Sequence, residues 1–356
     1  MISKTKTLLA AIAAICHSGS VFAGGSDITL MPTETLFEKG NYASVSTVNV
    51  TPDVTGSTIA PSGSMYGSYR ASTFSLKMGL SPKISVAYAD YLSAGIYVDY
   101  RTAGVATDAY VDLSIRSQML VAKYQINENL SAFGGFKRSK TKPATANFDN
   151  ATLKPTGNLS ISSASDSTLA LGLAYEKPEI GLRVSALFQE KTNFTLPMTR
   201  DAGGALIDGK ASLPESVTIR FQSGISKNTL VFGSIHKARW GKSHIYFDDG
   251  TASLIKKTDY LNSSSYALGI GRKLSESYAV SATYGYEPGK AATGSSALAT
   301  TNGKKSISVG GKYTNGKVDI SLGYSHINVG NKLIGGAYNF TNNHVNAVAM
   351  KLGIHF

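Results

Sequence analysis

The sequence predicts an all-β fold: a transmembrane, antiparallel up-and-down β-barrel of about fourteen strands with a short N-terminal plug segment. Three observations carry this. Stretches of about ten residues alternate apolar and polar side chains. Short polar turns alternate with long loops rich in Gly, Ser, Thr, Asn and Lys. No stretch after the N-terminus approaches the roughly 18 to 20 apolar residues of a membrane-spanning helix. A chain that crosses lipid without such helices must close its backbone hydrogen bonds in a barrel.

The first residues read as a signal peptide. Lys4 and Lys6 precede an apolar run, Leu8 to Ile15, and Val21-Phe22-Ala23 is a cleavage pattern, so residues 1–23 are expected to leave. A lipoprotein reading through Cys16 lacks the small residue needed before the cysteine, where Ile15 stands. Cys16 is the single cysteine of the 356 residues, so the mature chain has no thiol and forms no disulfide. Lys4 and Lys6 supply two of the net +12 charges, which leaves +10. That excess favours anions such as lipopolysaccharide phosphates or fatty carboxylates. Nucleic acid is not expected, because the Lys and Arg are scattered rather than gathered on one stripe.

Residues 24–40 are expected to be a short plug or a periplasmic segment. Leu30, Met31, Leu36 and Phe37 either line an apolar pocket inside the lumen or belong to a free tail. The barrel is expected over 41–356, with a first strand at about 41–52 and a last at about 343–356. Six turns lie between them: 81–83, 126–129, 177–179, 226–229, 274–277 and 314–317. Long loops are expected over 54–70, 92–110, 143–163, 195–213, 239–258, 287–303 and 328–342. Short turns on one side and long loops on the other are the pattern of a bacterial outer-membrane barrel.

Alternation assigns the faces. Over 216–224, Val217, Ile219 and Phe221 face out, and Thr218, Arg220 and Gln222 face in. Over 181–190, Leu182, Val184, Ala186 and Phe188 face out, and Arg183, Ser185 and Gln189 face in. Over 304–313, Ile307, Val309 and Tyr313 face out, and Ser306, Ser308 and Lys312 face in. Over 111–124, Leu113, Ile115, Met119 and Val121 are expected to face lipid, and Asp112, Ser114, Arg116 and Gln118 the lumen. Trp240 and tyrosines such as Tyr124, Tyr175, Tyr278 and Tyr324 fit aromatic girdles. A charge at the bilayer midplane would cost about 2–4 kcal/mol, and the rows assigned to lipid avoid it.

At this point several stretches resemble one family. LFEKGNY (36–42) with TPDVTG (51–56), KYQINENLSAFGG (123–135), LAYEKPEIGLRV (173–184) and LPE (213–215) with the hairpin up to Trp240 are similar to the FadL-type outer-membrane transporters of long-chain fatty acids and hydrophobic compounds. The resemblance implies a fourteen-stranded barrel plugged by an N-terminal hatch. It also implies apolar lumen pockets and a sideways exit through a kinked strand. The chain departs from it in having only residues 24–40 before the first strand and no Asn-Pro-Ala hatch signature, so a short plug is what fits. No ligand-contacting residue carries over.

The expected function is passive, cofactor-free uptake of hydrophobic molecules, with long-chain fatty acids as the expected ligand and outer-membrane lipids and lipopolysaccharide as neighbours of a monomer. A water-filled solute porin and a loop-borne adhesin stay open. Candidate partners for a fatty carboxylate are the inward cations Arg116, Arg183, Arg220, Lys77, Lys137, Lys312 and Lys351, because arginine offers a bidentate, charge-assisted contact. The same cations are equally suited to neutralising inward acids such as Asp112 and Asp319. Gly95 marks either a break in the third strand or the start of a loop, and the sequence favours the loop. No metal-ligand spacing, nucleophile elbow or phosphate loop is present: Gly311-Lys312 to Lys317 nearly fits the last, but Val318 replaces the required Ser or Thr. An enzyme is not expected.

Overall fold

A computed structural model gives the structure of the protein and describes residues 25–58, 61–101, 109–147, 158–201, 203, 206–248 and 252–356. The signal peptide with Cys16, and Gly24 of the expected plug, lie outside the described residues. The wall consists of fourteen strands. They are β1 Tyr42–Asp53, β2 Tyr69–Gly79, β3 Ile84–Asp99, β4 Tyr110–Gln125, β5 Leu130–Thr141, β6 Ser165–Lys177, β7 Leu182–Gln189, β8 Ser216–Ser226, β9 Thr229–Ala238, β10 Ser263–Lys273, β11 Tyr278–Glu287, β12 Lys304–Asn315, β13 Val318–Val329 and β14 His344–His355.

Each strand pairs antiparallel with its neighbours in sequence, and β1 pairs with both β2 and β14. Tyr42 opposes Lys77 on one side and His355 on the other. The circle therefore closes and leaves the wall no free edge. The six turns fall where the sequence places them. Their polar side chains make them: the Asn127 carboxamide oxygen accepts the Asn129 and Leu130 amides, and the Ser275 hydroxyl accepts those of Ser277 and Tyr278. Gly181 and Gly316, at φ +64° and +57°, occupy a conformation costly for any other residue.

The outer face carries the apolar rows. Leu120, Phe136 and Ile307 are 60%, 62% and 63% exposed, and Leu173, Leu268 and Val348 lie in similar rows. Such a surface suits hydrocarbon rather than water, and the fold is a transmembrane barrel. The faces over 181–190, 216–224 and 304–313 are as expected. Tyr124, Tyr175, Tyr278 and Tyr324 are exposed on the outside, as a girdle requires.

Two expectations are corrected. The faces of β4 are reversed. Leu113, Ile115, Met119 and Val121 are buried on the lumenal side, while Asp112, Ser114, Arg116 and Gln118 face out. The inward row is apolar because it packs on protein: Met119 and Val121 share a buried cluster with Met31 and Leu36. Arg116 is therefore not a lumen cation. It pairs with Asp90 on the outside. Trp240 is not an outer girdle residue either. It sits past the end of β9 in a 3-10 turn, Trp240–Lys242, and turns inward to 1% exposure. Its indole N–H then finds an acceptor in Asp27, at 3.0 Å.

At the loop end the connections fold over the mouth. Thr192–Leu196, Gly209–Leu213, Tyr246–Asp248 and Leu254–Lys256 form one small sheet, and Gly56–Ser57, Tyr338–Phe340, Lys332–Ile334 and Thr293–Gly294 another. Their Phe194, Leu196, Phe247 and Phe340 join Ile96, Leu113 and Trp240 in a large apolar cluster. Segments expected as plain loops thus contain short strands.

Candidate lumen site and wall bulge

Residues 25–38 pack against the lumenal side of the wall, with Ile28, Met31 and Leu36 buried. A 3-10 turn spans Thr33–Phe37. Arg220, on the inward face of β8, holds this turn three ways. Its guanidinium pairs with Glu34, donates to the Thr33 hydroxyl at 3.1 Å and donates to the Met31 carbonyl at 3.3 Å. Phe37 lies between two cations, with Arg183 at 4.5 Å and Lys123 at 4.8 Å from its ring centroid, and meets Phe133 edge-on at 5.9 Å. Lys77 donates to the Glu38 carbonyl. At the other end, Asp27 accepts from Trp240 and lies 3.7 Å from the His236 imidazole. Gly25 permits this, since a Cβ there would meet the Trp240 ring at 2.2 Å.

Two cavities flank the segment. One, of about 100 Å³, is lined by Leu30, Glu34, Arg183, Arg220 and Lys351 among others. The second, of about 90 Å³, is lined by Asp27, Leu30, His236, Glu287 and Lys304 among others. Leu30 borders both.

The predicted cations therefore separate. Arg220 is committed to the N-terminal segment, Lys77 to a backbone carbonyl, and Lys312 to Asp319 at 2.9 Å, where Thr314 also donates. Lys137 is buried on the inward face of β5. Arg183 and Lys351 line the larger cavity, and among the described residues neither has a carboxylate within ion-pair distance. Lys351 rests over the Tyr42 ring at 5.4 Å.

The strand β3 carries the feature the sequence only hinted at. It does not end at Tyr91 but runs to Asp99, with a register shift between Leu92 and Ala94. Ser93 is the extra residue of a bulge, which leaves local backbone groups without wall partners. The N-terminal segment takes them up. Ile28 N–H donates to the Ser93 carbonyl at 2.9 Å, and Gly95 N–H donates to the Ser26 carbonyl at 3.0 Å. Asp27 and Ala94 form an antiparallel bridge. A Cβ at Gly95 would stand 3.2 Å from both Ile28 and the Leu113 carbonyl, so glycine lets the segment lie close. Behind the bulge the hydroxyls of Ser93, Ser117 and Ser139 are linked at 2.7 Å each.

At the mouth, burial pushes the phenols of Tyr66 and Tyr100 up, so both stay neutral. Thr300 donates to Tyr66 at 2.8 Å, and Tyr100 donates to the Ala297 carbonyl at 2.8 Å. Both phenols are thus buried, uncharged parts of the packed mouth.

The barrel fold is shared with solved structures over nearly the whole chain. A Pseudomonas aeruginosa FadL homologue superposes with a TM-score of 0.72 over 99% of this chain and 98% of its own, at 10% identity. This chain has the FadL-type fold. The P. putida toluene transporter TodX matches at TM-score 0.69 over 96% and 98%, with 15% identity, and the Ralstonia pickettii toluene transporter TbuX at 0.60 over 96% and 97%, with 14% identity. No family model and no curated protein matches the sequence. The match spans the FadL-type barrel end to end.

Ser93, Asp27 and Lys123 escaped the sequence reading. Gly95 was the one signal for the bulge. Asp27 had none, because its partners Trp240 and Ala94 are distant in the chain.

Proposed function

We propose that the protein is a passive outer-membrane channel for hydrophobic molecules, with long-chain fatty acids as its ligand. The wall bulge latched by the N-terminal segment carries this reading. It joins a protein-filled lumen to a point where the wall pairing is already interrupted. Ligand gathers at the mouth, occupies the lumen cavities, and leaves past the bulge when residues 25–30 withdraw from β3. The solved neighbours named as toluene transporters and a FadL homologue support the hydrophobic class. Arg183 and Lys351, both lining the larger cavity, favour an acid over a hydrocarbon, since a carboxylate that leaves bulk water needs a charge-assisted partner.

A reversible lock tests the mechanism. In the double variant Asp27→Cys, Ala94→Cys the two thiols face each other across the bridge. Oxidation is expected to abolish fatty-acid uptake into cells and reduction to restore it. Because the same variant is compared with itself, loss of the Asp27 contact cancels. Equal uptake in both states, with the disulfide verified, rejects the bulge route. Uptake of a labelled fatty acid and of an uncharged hydrocarbon by Arg183→Ala and Lys351→Ala tests the ligand; an equal effect on both ligands rejects the acid assignment.

A further inference from the structure

The reversed face of β4 leaves cations on the outside of the barrel. Register sets two outward rows across β3–β6. One runs Leu92, Arg116, Lys140, Ser165 and the next Asp90, Gln118, Arg138, Ser167. Three cations and one acid occupy these eight positions. The acid is engaged within the rows, pairing with Arg116 and accepting from Gln118 at 3.1 Å. Arg138 and Lys140 are exposed, and the exposed serines 165 and 167 oppose them across the β5–β6 ladder.

The level of these rows is fixed by what lies next to them. The adjoining row toward the turns is Tyr88, Leu120, Phe136 and Leu169. It lies two residues away, about 7 Å along the strand. The charges therefore stand at the upper edge of the apolar band, where lipid headgroups begin. The rows lie on the loop side, which is the outer leaflet for an outer-membrane barrel. The feature is local. The matching row on the opposite wall is Tyr284, Ile307, His326 and Asn346, followed by Tyr286, Lys305 and Asn328, with one lysine.

We propose that Arg116, Arg138 and Lys140, with the hydroxyls of Ser165 and Ser167, form a binding site for a phosphate of a phosphorylated glycolipid of the lipid A type. Arginine grips phosphate oxygens in bidentate fashion, lysine adds a point charge, and serine donates a neutral hydrogen bond. Charge complementarity selects an anion, and the position at the edge of the apolar band selects a lipid over a soluble partner. The acyl chains then lie on Leu120, Phe136 and Leu169. The site does not depend on what the lumen carries.

The test is native mass spectrometry of the purified protein in detergent, titrated with bisphosphorylated lipid A, its dephosphorylated form, and phosphatidylglycerol. Bisphosphorylated lipid A is expected to bind best, and the double variant Arg138→Gln, Lys140→Gln, which removes two of the three cations, to bind it about tenfold or more weakly. Lys305→Gln, on the opposite wall, is expected to bind as the unaltered protein does. Equal binding by the double variant, or equal binding of the dephosphorylated lipid, overturns the phosphate site. Phosphatidylglycerol binding as tightly as lipid A overturns the glycolipid assignment. The lipid comparison uses the unaltered protein, so a variant that fails to fold leaves the proposal testable.

Discussion

Arg220→Met is the sharpest perturbation of the N-terminal segment. Methionine keeps the apolar stem of the side chain and removes every donor to Glu34, Thr33 and Met31. Breaking a fully buried ion pair costs about 3–5 kcal/mol, mostly from the charge left behind. Here the Glu34 side chain is 25% exposed and Arg220 14%, so water relieves part of that cost. About 2–3 kcal/mol remains, which is roughly a 30- to 150-fold shift toward the undocked segment. Hydrogen exchange reads it directly. The Ile28 and Gly95 amides bond across the latch, and their protection is expected to fall by that factor while amides deep in β12 and β13 are unchanged. Glu34→Gln in the Arg220→Met background removes the stranded charge and is expected to restore part of the protection. Unchanged exchange at both amides in Arg220→Met would show that the arginine does not hold the segment.

Three further outcomes follow from the same geometry. Trp240→Phe removes the indole donor from Asp27 and is expected to destabilise the mouth end of the segment by about 1–2 kcal/mol, read as faster proteolysis near residue 27. A cysteine at Leu120 is expected to react with a lipid-soluble maleimide, and one at Met119 to stay unlabelled; the opposite pattern refutes the reversed face of β4. Met119→Ala opens a cavity in the buried cluster and is expected to cost about 2–4 kcal/mol in unfolding from lipid, whereas Ser114→Ala, half-buried on the outer face, is expected to change little.

The strand count, the six turns and the faces of β7, β8 and β12 were legible because each rests on information local to ten residues. Alternation, Asn127 or Ser275 at a turn and Gly316 at positive φ are all visible in sequence. The site was less legible because its contacts are long-range. Nothing near Asp27 announces Trp240, 213 positions away. Arg220 and Arg183 were rightly placed inward by alternation. Their difference, one ion-paired with Glu34 and the other lining the cavity without a carboxylate at ion-pair distance, needed the segment in place. The bulge was half visible, through Gly95, but the extra residue is Ser93, and a polar serine reads equally well as a loop.

The reversal of faces in β4 has a physical cause, and that cause bears on function. Alternation separates two faces but does not say which one meets lipid. In a wet barrel the apolar face must be the outer one. In β4 the apolar side chains Leu113, Ile115, Met119 and Val121 point inward, and their outward neighbours change from Leu120, Ala122 and Tyr124 to Gln118, Arg116 and Asp112 along the strand. The cross-strand neighbour Phe136 of Leu120 would have settled the matter, because register makes a row and a row has one environment. A water-filled lumen would expose the four inward side chains at about 1.5–3 kcal/mol each for the full change of environment. Even at half that value the total is several kcal/mol, comparable with the stability of a whole domain. The inward apolar row is thus a physical argument for a lumen occupied by residues 25–38 and the mouth loops, and against an open aqueous pore.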